Sequence, residues 1–137
     1  MAKFILCAVD GSPHAERAIA VAAEIAKATG ATLDLFAVDQ VVLDGRSAPI
    51  HRLGEEGVHA LLHRAEATAV AAGYATPRLT AAAGHDVVQA ILDYAQEHGV
   101  DHIVVGTGEK GAATRLVLGS VSHDLVVRAH CSVTVAR

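Results

Sequence analysis

Two stretches of this chain carry residue types suited to holding phosphate. Gly106-Thr107-Gly108-Glu109-Lys110-Gly111 is a literal GxGxxG that follows an apolar run. Gly119-Ser120-Val121-Ser122 follows it and opens a helical pattern. The dinucleotide fingerprint belongs in the first strand–helix unit, and here the glycines come after the penultimate strand. A Walker loop needs Lys and Ser or Thr where Ala112 and Ala113 stand. What remains is a glycine-bearing turn leading to a helix start. A helix N-terminus offers unpaired N–H groups and the positive end of its dipole, and Ser120 and Ser122 add hydroxyl donors. The plain alternative is that Gly119-Ser120 is only a turn and cap.

Asp10-Gly11-Ser12-Pro13 is a second polar turn, with Asp10 placed for an Asx turn or for contact with a ligand. Glu55, His59 and His63 are spaced one helical turn apart, a spacing that can hold zinc or nickel. Ala60 stands where a zincin has its acid, and a solvated helix face explains the trio; no metal is expected. His85, at the end of a strand, reads as a loop histidine. No nucleophile, base and orienting group stand together, so catalysis is not indicated. Cys7 and Cys131 are far apart and sit in apolar surroundings, which fits reduced, unreactive thiols.

The elements that position these residues follow from hydropathy spacing. Lys3 to Val9 is a short apolar run ended by a polar turn, a buried strand. Ser12 and Pro13 then supply a cap and a first-turn proline for a helix that runs to Gly30. Thr32 to Val38 is a second strand, and Asp39 to Ile50 a covering loop. Leu53 to Ala72 is helical, Pro77 to Ala83 a third strand, and Asp86 to Glu97 a third helix. Asp101 to Val105, Ser120 to Ala129 and Ser132 to Ala136 complete a strand, a helix and a strand. Strands alternating with helices imply right-handed crossovers and an open parallel α/β sheet covered on both faces. Ligands in such sheets bind beyond the carboxyl ends of the strands, where Asp10–Ser12, Val38 and the Gly106 segment fall.

The chain has 137 residues, enough for one domain. Hydrophobic residues make up 52% and aromatics only 3%, so Val, Leu, Ile and Ala must build the core. Eleven Lys and Arg stand against 15 Asp and Glu, a formal charge of −4 that disfavours a nucleic-acid partner. No apolar run reaches the length of a membrane span, and Met1-Ala2-Lys3 leads straight into a strand without a cleavage site. Neither a membrane partner nor a signal peptide is expected.

The sequence resembles the universal stress protein family over essentially its whole length. Ile5-Leu6-Cys7-Ala8-Val9-Asp10-Gly11-Ser12, Val104-Val105-Gly106-Thr107, Arg115-Leu116-Val117-Leu118-Gly119-Ser120-Val121-Ser122 and Cys131-Ser132-Val133-Thr134-Val135 carry the resemblance. It implies one domain over residues 1–137, a Rossmann-like five-stranded parallel sheet in the order 3-2-1-4-5, and a homodimer through the last strand. The family's ATP-binding branch has Gly, two residues, Gly, nine residues, then Gly and Ser or Thr. Gly106 takes the first glycine and Gly119-Ser120 the last pair, but Glu109 stands at the second. A carboxylate near phosphate repels by about 1 kcal/mol at ~4 Å in water. Gly108 or Gly111 substitutes if the loop shifts by a residue, with Lys110 and Arg115 as compensating cations. The resemblance further implies that Asp10 meets the adenosine, that Ala8 lies beside the nucleoside, and that the main chain of Val38 recognises adenine. Ser12, Thr107 and Val121 complete the expected site. The expected function is a cytoplasmic stress-response module that binds ATP, ADP or AMP, with Mg as a possible companion, and at most hydrolyses ATP slowly. The alternative is a nucleotide-free homodimeric interaction module acting on an unknown protein partner.

Overall fold

The computed structural model describes residues 2–43, 45, 48–107 and 119–137. Its elements are β1 (Phe4–Ala8), α1 (Pro13–Thr29), β2 (Thr32–Val42), β3 (Ile50–His51), α2 (Gly54–Ala71), β4 (Arg78–Gly84), α3 (Val87–Glu97), β5 (His102–Gly106), α4 (Ser120–Arg128) and β6 (Ser132–Ala136). β1 is central and parallel to both neighbours, with Cys7 opposite Leu35 of β2 and Val104 of β5. β4 pairs with β2 and β6 with β5, again in parallel. Setting β3 aside, the order is β4-β2-β1-β5-β6, the 3-2-1-4-5 arrangement expected from the sequence.

β3 is a sixth strand that the sequence reading placed in a loop. β2 does not stop at Val38: it continues to Val42, and Val41 and Val42 pair antiparallel with His51 and Ile50. Asp39 was taken as the start of a loop, but its carboxylate is satisfied without breaking the strand. Its Oδ1 accepts from Leu53 N at 2.9 Å and its Oδ2 lies 2.8 Å from His51 Nδ1, which brings the returning chain alongside.

The strand pleat sorts alternate residues to opposite faces. Ile5, Cys7, Leu33, Leu35, Ala37 and Val104 face α1 and α2, where Ala18, Ile19, Ala22, Leu61 and Leu62 cover them. Leu6, Phe36, Ile103 and Val105 face α3 and α4, meeting Val88, Ile91 and Leu125. Alanines on the buried face of α1 let it lie close to the sheet. Ser12 starts that helix as expected, its Oγ accepting from Ala15 N at 3.2 Å. Gly30 ends it in the left-handed conformation, φ +71°, where a side chain would be strained.

One polar cluster interrupts the apolar face under α3. Asp34 of β2 is fully buried; its Oδ2 accepts from Tyr94 of α3 at 2.5 Å and its Oδ1 from Thr80 of β4 at 2.8 Å. Burial, then the hydrogen bond to Asp34, pushes the Tyr94 hydroxyl's pKa up, so the phenol keeps its proton and remains the donor. Two elements are thereby tied to β2 through one carboxyl group. Removing a donor to a buried acceptor costs about 1–3 kcal/mol. Tyr94→Phe should lower stability by about that amount in urea denaturation, with the slope unchanged.

Candidate functional site

The carboxyl ends of the paired strands β1 and β5 lie beside the first turn of α1. At the β1 end, Asp10 is exposed and its Oδ1 accepts from Ser12 N at 2.9 Å, an Asx turn. Ser12 is buried, and its hydroxyl oxygen is engaged with Ala15 N. Pro13 contributes no N–H. The first turn of α1 is therefore largely satisfied by its own loop.

At the β5 end, Gly106 lies directly beneath α1. A Cβ built there would stand 2.6 Å from His14 O and 2.7 Å from His14 C, both backbone atoms. Next to it, buried Thr107 joins three segments. Its N donates to Ala136 O at 3.2 Å, its O accepts from Gly119 N at 2.8 Å, and its Oγ1 lies 3.3 Å from His14 Nδ1. The start of α4 is thus held beside the end of β5.

The N-terminus of α4 contrasts with that of α1. Its capping residue is Gly119, extended at φ −63° and ψ 159°, and no side chain caps the helix. His123 N is the first to bond back, to Gly119 O at 2.9 Å. The preceding N–H groups of Ser120, Val121 and Ser122 lack an intrahelical partner by the geometry of the first turn. Ser122 is buried and its hydroxyl donates to Gly119 O at 3.0 Å, whereas Ser120 is exposed. Backbone donors, the helix dipole and one free hydroxyl converge here, an arrangement suited to an anion.

A sequence model of the universal stress protein family matches residues 1–137. The chain belongs to this family. It is 38% identical to a universal stress protein of Thermus aquaticus, with all of both chains covered. A putative universal stress protein of Staphylococcus haemolyticus is 32% identical over 98% of this chain and 84% of the relative. Among solved structures, a universal stress protein in complex with cAMP superposes with a TM-score of 0.77 at 25% identity, covering 99% of this chain and 97% of the other. The universal stress protein of Archaeoglobus fulgidus in complex with dAMP gives 0.73 at 25% identity, covering 98% of each chain.

Within this family fold, the expected site residues fall into three groups. Asp10, Ser12, Gly106, Thr107, Gly119, Ser120, Val121 and Ser122 lie on segments joined through His14 and Thr107. Ala8 and Val38 are half-buried and pack with the α3–α4 side of the core, while Val38 lies opposite Ala82 inside β2 instead of ending the strand. Gly108, Glu109, Lys110, Gly111 and Arg115 lie outside the described residues. Of the histidines weighed for metal, His63 lies 3.7 Å from Glu66. Among the described residues, no three His, Cys, Asp or Glu side chains are placed to share an ion.

The sequence reading missed His14 and the Asp39–His51 pair. His14 follows the helix-starting proline and carries no signal of its partner Thr107, just beyond β5. Asp39 is buried; the backbone bond from Leu53, followed by His51, holds its carboxyl below the usual carboxylate range despite the opposing effect of burial. Cys7 is fully buried and desolvation pushes its thiol pKa far up, matching the expected unreactive core residue. The Gly106 contact leaves no room for a side chain. Gly106→Ala should destabilise the protein by about 1–3 kcal/mol, since the Cβ meets backbone that cannot rotate away. Thermal unfolding of the variant beside the wild type measures this.

Proposed function

We propose that this protein binds an adenine nucleotide between the β1 loop and the start of α4, and that nucleotide occupancy serves as its stress-response signal. The observation that carries this reading is the uncapped N-terminus of α4, held to the end of β5 by the 2.8 Å bond from Gly119 N to Thr107 O. The adenosine-nucleotide complexes of two structural neighbours support the ligand class. Phosphate lies on the N–H groups of Ser120, Val121 and Ser122, with the Ser120 hydroxyl beside them. The adenosine lies toward Asp10, Ala8 and Val38. Glu109 stands where the ATP-binding pattern has glycine, which favours AMP or ADP at least equally with ATP; Mg would accompany only the longer phosphates. Among the described residues no helix is long and apolar enough to cross a membrane, and the cytoplasm is the proposed compartment.

The test uses calorimetric titration with AMP. Gly119 has a backbone conformation open to any residue, so Gly119→Asp leaves the turn intact and places a carboxylate cap on the same N–H groups. Asp should improve the helix start by a few tenths of a kcal/mol over Gly. At the same time it should weaken AMP by at least about tenfold, because the donors are filled and the charge repels phosphate. AMP binding that survives in this variant would remove the phosphate from α4. No binding by the wild type would favour the nucleotide-free interaction module.

The proposed assembly is a homodimer through β6. This strand ends the sheet, bonded on one side to β5. Ala136 O points to β5, where it accepts from Thr107 N. By strand alternation, the backbone groups of Val133 and Val135 point away from β5. An antiparallel copy of β6 satisfies this row about a two-fold axis. Val133→Pro deletes an outward donor without breaking the β5 ladder, and light scattering should then show a monomer where the wild type is a dimer.

A further inference from the structure

The backbone rungs along β2 leave a gap on one side of the strand. Phe36 O accepts from Val9 N at 2.9 Å, so the backbone groups of Phe36 point to β1. Strand alternation turns Val38 and Gln40 to that same side. There Gln40 O accepts from Arg52 N at 3.0 Å, the residue after β3. β1 and β3 therefore share one edge of β2, the first ending before the second is met. From Phe36 to Gln40 the strand spans about 13 Å at ~3.3 Å per residue. Val38 stands midway, its N–H and C=O facing the gap and, among the described residues, bonded to nothing across it.

The far wall of this gap is thinly built. β3 is only Ile50 and His51, both exposed, and Val42 opposite Ile50 is exposed as well. Little apolar burial holds such a strand, and a short ladder by itself is marginal in water. Asp39, the neighbour of Val38, supplies the fastening. It is buried, its Oδ2 lies 2.8 Å from His51 Nδ1, and its Oδ1 accepts from Leu53 N at 2.9 Å. The bond from Leu53, then His51, holds the carboxyl below the usual carboxylate range despite burial. A carboxylate has no proton to give, so His51 Nδ1 is the donor. With Val41 opposite His51, Asp39 and His51 are diagonal neighbours on one face of the ladder. One carboxylate thus grips the chain on either side of Arg52, the residue whose N–H closes the gap.

We propose, on the adenine-nucleotide reading above, that the Asp39–His51 pair positions the base by fixing β3 as the stop against which a purine is set along β2. Adenine presents an amino donor beside a ring-nitrogen acceptor, a match for the C=O and N–H of Val38. Hypoxanthine presents the reverse order along the same edge, an oxo acceptor beside a ring N–H. It can bond to the same two groups only if the ring shifts along the strand or turns over. A stop held in one place admits one order, and a loose stop admits both. Asp39 and His51 act through β3 and Arg52, as positioning residues that decide which base is accepted.

The experiment is calorimetric titration of the full chain with AMP and with inosine monophosphate. The wild type should prefer AMP by at least about tenfold, the penalty for leaving polar groups unpaired. His51→Leu removes the donor at an exposed position, so the fold should persist, and thermal unfolding checks it. In this variant the preference should shrink to within about threefold, because the ring is free to shift. His51→Asn sets an amide nitrogen near the place of Nδ1 and should restore the preference. Hydrogen exchange follows the fastening itself: the Arg52 amide should exchange at least about tenfold faster in His51→Leu, and that of Val9 as in the wild type. A merely structural role would weaken both nucleotides together and leave their ratio unchanged. The proposal is overturned by an unchanged ratio in His51→Leu, by unchanged exchange at Arg52, by a wild type without preference, or by a His51→Leu chain that does not fold, which would make the pair structural. A wild type that binds neither nucleotide overturns the adenine-nucleotide reading and this proposal together.

Discussion

Helix α1 packs against the end of β5 at a distance that only glycine allows. At Gly106 the missing side chain admits His14 backbone to a distance that no Cβ tolerates, 2.6 Å from where one would stand. This contact sets the first turn of α1, which follows the β1 loop, against the end of β5. Thr107 then connects that turn to the end of β6 and the start of α4. A larger residue at position 106 would push α1 outward, and the crevice would lose its geometry before any ligand contact changed. The same glycine that reads as part of a phosphate loop is thus first a packing requirement.

The parts of the fold legible in the sequence were those written in local chemistry. Ser12-Pro13 announced the start of α1, Gly30 its end, and the apolar runs gave the five parallel strands. Features that depend on distant partners stayed hidden. Asp34 carries no local sign of its role, because its donors Thr80 and Tyr94 lie 46 and 60 residues away. Asp39 looked like a turn residue, because the groups that satisfy it come from the returning chain. β3 could not be read from Ile50-His51, two residues that become a strand only when β2 extends to meet them. The candidate site was legible as a set of segments at the carboxyl ends. How the free donors divide between α1 and α4 was not, since it turns on cap geometry.

Helix α4 shapes both ends of the molecule through its length of nine residues. Its start carries no side-chain cap, which leaves backbone donors facing the crevice. Its early end leaves the beginning of β5 under a groove instead of a helix. A longer α4 would cover more apolar surface, and the groove would close.

The bond from Gly119 N to Thr107 O has a consequence for how this lineage can vary. It fastens together the two ends of an eleven-residue segment, positions 108–118. The entropy of closing a chain segment grows only with the logarithm of its length, roughly 0.6 kcal/mol per doubling. The stem therefore makes length and composition there inexpensive to change, while the sheet and both helices keep their register. Glu109 belongs to this segment of the sequence. A scaffold fastened this way can change the sequence between Thr107 and Gly119 while the ends that hold β5 and α4 together stay as they are.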